Sequence, residues 1–284
     1  MREFYLVSYG FFILIFQSHG QISGLYPDQF SSYFFNPATV NPAYIAQDGS
    51  SEAVVQSKLR NGIYSDIYSI GASVQKTFHT SKQQWHSGRL LFSNEKEGLY
   101  ISTPRFYGNY SIRIPISSDL DILAGLSLGL VNPNITIPTR ALSRTLTDGA
   151  AGLLVRYGKS SLGVSSNHIF NSGYASLNLR RYYTTHFETS SIVNASIVLK
   201  AYCIWRYFSD IPSQLNAAVS ALLNEKLEAG TGYRYRRGAF LFFSLTIDPA
   251  SQHPLSLGAL YQSSLLDQLP GLGESLELSL IYKY

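Results

Sequence analysis

The chain has 284 residues, 45% of them hydrophobic, yet only 14% carry a charge, and 21 Tyr, 16 Phe and 22 Gly stand where a soluble protein would place charged residues. A formal net charge of +4 is too mild to point to nucleic acid or an acidic ligand. The single cysteine, Cys203, excludes an internal disulfide and a Cys-based zinc site, and it lies too far along the chain to anchor a lipoprotein.

Residues 1–20 read as a signal peptide. Arg2 precedes an almost unbroken apolar stretch from Phe4 to Phe16, and Ser18 and Gly20 flank His19 as a signal peptidase requires, so cleavage is expected after Gly20. About 13 apolar residues are too few to span a bilayer as a helix. No later run approaches the ~18 apolar residues that a spanning helix needs, so a membrane location would have to rest on strands.

Residues 21–50 do not alternate. Asp28 can cap a short helical turn that brings Phe30, Tyr33 and Phe34 to one face beside Phe35, and Pro37 forbids helical geometry at Asn36 and ends the turn. A second Asn-Pro corner follows at Asn41-Pro42, with Tyr44 just beyond. An aromatic turn held between two rigid corners is expected to plug the periplasmic mouth of a barrel or to dock a partner; the plainer alternative is an inert lead into the first strand.

From residue 51 onward the pattern has a period of two. Leu120, Ile122, Ala124, Leu126, Leu128 and Leu130 oppose Asp121, Gly125, Ser127 and Gly129. Gly108, Tyr110, Ile112 and Ile114 oppose Asn109, Ser111 and Arg113, and Leu227, Ala229, Thr231, Tyr233 and Tyr235 oppose Glu228, Gly230, Gly232, Arg234 and Arg236. At the end, Leu276, Leu278 and Leu280 are expected to face lipid or an apolar partner, and Glu277 and Ser279 the lumen. Turn signals fall at Ser117-Ser118-Asp119, Asn132-Pro133-Asn134, Asp148-Gly149, Gly158-Lys159-Ser160, Asp210 to Ser213, Asn224, Arg237-Gly238, Asp248-Pro249 and Pro270-Gly271.

At about 16 to 18 residues per strand and loop, residues 51–284 make roughly 14 strands. The expected fold is all-β: a transmembrane antiparallel up-and-down β-barrel with a short N-terminal non-barrel segment, in the bacterial outer membrane. A soluble β-sandwich would carry more Lys, Glu, Asp and Thr on its outer face, and a β-helix or propeller would show a fixed repeat.

Catalytic and cofactor motifs are missing. The six His residues, His19, His79, His86, His168, His186 and His253, lack paired-ligand spacing, and no Gly-x-Ser-x-Gly, phosphate loop or His-Glu-x-x-His occurs. No enzyme activity, cofactor or metal is therefore expected. Arg180-Arg181 and Arg234-Arg236-Arg237 suit either lipopolysaccharide phosphates or ordinary strand ends at a membrane interface. Tyr64, Tyr68, Tyr107, Tyr182 and Tyr183 fall near expected strand ends, where aromatic residues anchor partners or line the membrane girdle.

Asp28-Gln29-Phe30-Ser31-Ser32-Tyr33-Phe34-Phe35-Asn36-Pro37, followed by Asn41-Pro42-Ala43-Tyr44, resembles the N-terminal signature of the PorP/SprF family of type IX secretion and gliding-motility membrane proteins of Bacteroidota. Tyr110 to Ile116 resembles the family's Tyr-x-Tyr/Ser-Arg-Ile-Pro-Leu strand end, and Gly273 to Tyr284 its closing strand. Leu59-Arg60-Asn61-Gly62 reduces the Arg, Gln and Trp expected after the first strand, and Leu276 replaces a closing His. The resemblance implies a non-enzymatic barrel that binds an exported adhesin or other secreted protein through its C-terminal domain, alongside other secretion components, outer-membrane lipid and lipopolysaccharide. The alternative is a diffusion or uptake channel with an open polar lumen.

Overall fold

The computed structural model describes residues 30–284, apart from 47–48, 61–65, 81–83, 138–139, 175–176, 210–211, 236–237 and 264–273. The expected leader, its cleavage site and Asp28 lie outside the described residues.

The alternating runs form strands. In chain order they are β1 (Glu52–Arg60), β2 (Tyr68–His79), β3 (Trp85–Glu97), β4 (Ile101–Pro115), β5 (Leu120–Val131), β6 (Asn134–Ile137), β7 (Arg140–Ser143), β8 (Leu146–Tyr157) and β9 (Ser160–Asn167). There follow β10 (Gly173–Tyr174), β11 (Leu177–Asn178), β12 (Tyr182–Asn194), β13 (Ile197–Phe208), β14 (Gln214–Leu223), β15 (Leu227–Arg234), β16 (Gly238–Ile247), β17 (Leu255–Ser263) and β18 (Ser275–Lys283).

Fourteen of these make one closed antiparallel barrel, each pairing with its neighbour along the chain once β6, β7, β10 and β11 are set aside. The seam is the pairing of β1 with β18, unbroken from Glu52↔Lys283 to Arg60↔Ser275. Closure leaves no barrel edge strand, which is what a sheet needs where no water can satisfy its backbone. The hairpin β6–β7 pairs with the start of β4, and β10–β11 is a separate two-residue ladder between β9 and β12.

The two ends of the barrel differ. The end that holds the start of β1 and the end of β18 carries the short links 116–119, 158–159, 195–196 and 224–226, whereas 132–145 and 168–181 are at the other. Short turns face the periplasm in such barrels and long loops the cell exterior. Gly158 and Asn224 take positive φ in their turns, as tight hairpins require.

The two faces of the wall invert the order of a soluble protein. Leu126, Leu128, Leu241 and Phe243 stand exposed on the outside, while Glu277, Arg234, Arg206, Lys58 and Arg89 are buried inside. Such a surface is stable only against an apolar solvent. The closing strand behaves as its pattern implies, with Leu278 and Leu280 outward and Glu277 and Ser279 buried within. One expected turn is wrong: Asp148-Gly149 lies inside β8, where Asp148 points into the lumen and Gly149 pairs with Leu128. An acidic residue beside glycine reads as a turn only where both are assumed to meet water.

Candidate functional site

The lumen is not left to solvent, because the chain preceding β1 passes through it. The segment starts high in the barrel, toward the long loops, where the carboxylate of Glu277 on β18 receives it. Ser31 N–H donates to Oε1 at 2.8 Å, Ser32 N–H to Oε2 at 2.9 Å and the Ser32 hydroxyl to Oε2 at 2.6 Å. Lys58 of β1 stands 3.4 Å from the same carboxylate and balances its charge. A carboxylate this buried is tolerable only with a counter-charge and filled lone pairs, and it has both.

Next come two short 3-10 turns, Tyr33–Phe35 and Pro37–Thr39. One helical turn ending at Pro37 was the expectation. The break does lie at Asn36, whose φ of −147° is extended, but Pro37 also opens a second turn, because its fixed φ and missing N–H suit a first helical position. Tyr33 and Phe35 are buried with Val40 against lumen-facing Tyr202, Ile204, Ala218, Phe240, Phe242 and Leu260. The Phe34 ring lies 4.2 Å from that of Phe242 and 5.2 Å from that of Tyr202, centroid to centroid. These contacts fill the β13–β17 side of the lumen with hydrocarbon. Burial pushes the Tyr33 phenol well above its ordinary range, so it stays neutral.

The two asparagines fasten the segment to walls on opposite sides of the barrel. Asn36 donates to Gln56 Oε1 of β1 at 3.2 Å. Asn41 is fully buried, and its Nδ2 donates to main-chain carbonyls of the wall itself, Leu153 O on β8 at 2.9 Å and Val164 O on β9 at 3.2 Å. Its Oδ1 accepts the Ala43 N–H at 2.9 Å, an Asx turn that sets the corner. The Pro42 carbonyl accepts from the Ser111 hydroxyl at 2.8 Å and from Asn109 Nδ2 at 3.0 Å, both on β4. Lower still, Arg156 Nη2 donates to Ile45 O at 2.9 Å.

Asn41 reaches the wall because glycine leaves a notch there. Gly125 on β5 and Gly152 on β8 are cross-strand partners on the lumen face. A Cβ at Gly125 would run into the Pro42 carbonyl, and one at Gly152 into the Asn41 side chain. These two glycines are therefore positions where the threaded segment approaches the wall closely.

Of the aromatic and corner residues expected to matter, Tyr33, Phe34, Phe35, Asn36, Pro37, Asn41 and Pro42 come together in the lumen, and Tyr44 is half-buried below them. Phe30 lies beside Gly71 at the upper end. The segment thus runs down through the barrel and is not confined to its periplasmic mouth. Receiving residues that the sequence did not single out for this role are Glu277, Gln56, Asn109, Ser111, Gly125 and Gly152. Their signal was present as polar and glycine positions on the inner face of strands. Of the five tyrosines placed near strand ends, Tyr68 opens β2, Tyr182 and Tyr183 open β12 with Tyr182 buried inward and Tyr183 exposed, Tyr107 lies within β4 and points inward, and Tyr64 lies outside the described residues. Among the described residues no group of three or more His, Cys, Asp or Glu is placed to hold a metal ion.

Comparison with known proteins agrees with this architecture. The family profile described as type IX secretion system membrane protein PorP/SprF matches residues 22–282. Comparison with curated protein sequences gives no match. The toluene transporter TodX of Pseudomonas putida superposes with a TM-score of 0.60 at 11% identity, over 92% of this chain and 95% of that one. The Ralstonia pickettii toluene transporter TbuX gives 0.56 at 7% identity, over 94% and 95%. The monoaromatic hydrocarbon channel CymD gives 0.58 at 10% identity, over 92% and 94%. At these identities the likeness is one of fold, that of outer-membrane barrels.

Proposed function

The chain belongs to the PorP/SprF family of type IX secretion system membrane proteins, and from that premise we propose that it is a non-enzymatic outer-membrane component that binds exported proteins through their C-terminal domain and supports their secretion or surface attachment. The observation that carries this reading is the threaded segment, which is fastened to β1 at Asn36 and across the lumen to β8 and β9 at Asn41. A barrel filled in this way by its own chain is suited to present fixed rims and loops to a partner, and poorly suited to free diffusion of polar solutes. Residues 21–50 act as the plug. The cargo and the other secretion components would meet the barrel at its ends, while the outer apolar belt would meet lipid and Arg180 and Arg181, in the long link before β12, would be offered to lipopolysaccharide phosphates.

Deletion of the gene tests this directly. One or a few large surface proteins should disappear from the cell exterior, with outer-membrane permeability nearly unchanged, and an affinity pull-down from native outer membranes should recover the same proteins. Loss of uptake of a small solute with a full complement of surface proteins would overturn the reading. That outcome would favour a diffusion or uptake channel, the alternative that the hydrocarbon channels of like fold keep in view.

A further inference from the structure

One strand pair stands outside the closed ring. Beyond the barrel wall the β5–β8 hairpin continues as β6 and β7, past a corner at Asn132-Pro133 where the Asn132 N–H donates to Pro104 O at 2.9 Å. β6 keeps its place beside β4, through Ile101↔Ile135 and Ser102↔Asn134, and β7 pairs with β6 from Asn134↔Ser143 to Ile137↔Arg140. On its far side β7 meets no strand among the described residues, because β9 has ended at Asn167, opposite Ala150.

One hydrogen bond fixes which main-chain groups point outward. Thr136 N–H donates to Tyr100 O at 2.8 Å, so Thr136 turns its main chain toward β4, and its neighbours Ile135 and Ile137 turn theirs toward β7. Leu142 and Arg140 stand opposite those two, which leaves the N–H and C=O of Ala141 and Ser143 directed away from the hairpin. Among the described residues no hydrogen bond comes to either main chain from that side. Both residues are exposed. Proteins commonly guard such an edge with lysine, proline or a bulge, and Ala141-Leu142-Ser143 has none of them. The link that contains β7, residues 132–145, holds Arg140 and Arg144 and no acidic residue.

We propose that β7 is a docking edge for an extended, acidic segment of an exported protein, which adds to the sheet β4–β6–β7 as one further antiparallel strand. Main-chain bonds to Ala141 and Ser143 hold the segment, and its carboxylates answer the positive charge of the link. A lipopolysaccharide phosphate would answer the charge alone, since alternating N–H and C=O groups call for a second main chain. The proposal deepens the secretion reading and rests on it for the source of the strand.

The test titrates the full-length protein in phosphatidylcholine nanodiscs with fluorescent peptides, read by anisotropy. The peptide Glu-Thr-Val-Thr-Val-Thr-Glu, blocked at both ends, should bind about fivefold or more tighter than the same peptide with lysine for glutamate, and than a version N-methylated throughout its core. Ala141→Pro removes one outward N–H and leaves the β6 ladder alone, since an edge position accepts proline, and it should weaken the acidic peptide about fivefold. The double variant Arg140→Glu, Arg144→Glu should reverse the preference toward the lysine peptide. Heat-modifiable gel migration checks that each variant keeps its barrel. Equal binding of the three peptides, or unchanged binding in both variants, overturns the proposal. Complete loss of peptide binding when lipopolysaccharide is added to the nanodisc gives the edge to lipid and overturns it as well. In cells, Ala141→Pro should remove the surface proteins that gene deletion removes. Their full retention beside their loss in the deletion strain overturns the docking edge and leaves the secretion reading standing. If deletion removes none, the secretion reading fails, and the peptide titration alone decides whether the edge takes an acidic strand.

Discussion

Glu277, near the end of the chain, holds Ser32, near its beginning, by a backbone N–H at 2.9 Å and a hydroxyl at 2.6 Å, so the last strand of the barrel carries the receptor for the segment that precedes the first. The carboxylate also accepts Ser31 N–H and faces Lys58. Glu277→Leu should therefore cost about 3–5 kcal/mol, because it removes a counter-charge of Lys58 together with the acceptor of Ser31 and Ser32, and Glu277→Gln should cost less, because it leaves an acceptor. Heat-modifiable gel migration reads the effect as a lower temperature of conversion to the unfolded band. Unchanged conversion in Glu277→Leu would show that the contact is ornamental.

The segment should govern conductance. The intact barrel in planar bilayers is expected to show little steady current, and deleting residues 30–46 should raise it severalfold, since the lumen of a fourteen-strand barrel is then left to water. A large stable current in the intact protein would mean that the segment leaves the pore open.

The glycine notch gives a sharper test of the same contact. Gly125→Ala places a methyl group against the Pro42 carbonyl, which is backbone and can yield only by moving the corner. Overpacking of this kind costs about 1–3 kcal/mol. In a chain that lacks residues 30–46 the same substitution should be nearly neutral. A double-mutant cycle on thermal stability measures the difference, and equal costs in both backgrounds would place the strain in the strand itself.

On the outer face, Leu278→Arg should cost about 2–4 kcal/mol in reversible folding into bilayers if residue 278 lies near the midplane. A cost within about 0.5 kcal/mol would mean that water, not lipid, covers this face.

The barrel was legible because its two faces differ in chemistry. Leu126 and Leu128 flank Ser127 in a way that has one reading, Gly158 and Asn224 marked tight turns, and the strand number followed from the chain length at about 16 to 18 residues per strand and loop. Legibility failed where one residue type serves two uses. Asp148-Gly149 looked like a turn, yet the aspartate binds His168 and Tyr107 inside the lumen and the glycine continues the strand. The corners at Asn36-Pro37 and Asn41-Pro42 were visible, but their receivers were not. Gln56, Ser111 and Gly152 are ordinary polar or small residues that acquire their meaning only when a distant segment lies against them, and the period of a strand carries no record of what crosses its inner face.

The seam between β1 and β18 also sets an order of events. Its two strands come from opposite ends of the barrel sequence, so every other strand can be in place while the ring stays open, and the last strand made is the one that shuts it. The strand that shuts the ring also carries Glu277, so a chain cut short before residue 275 would lose its latch and its seam in one stroke.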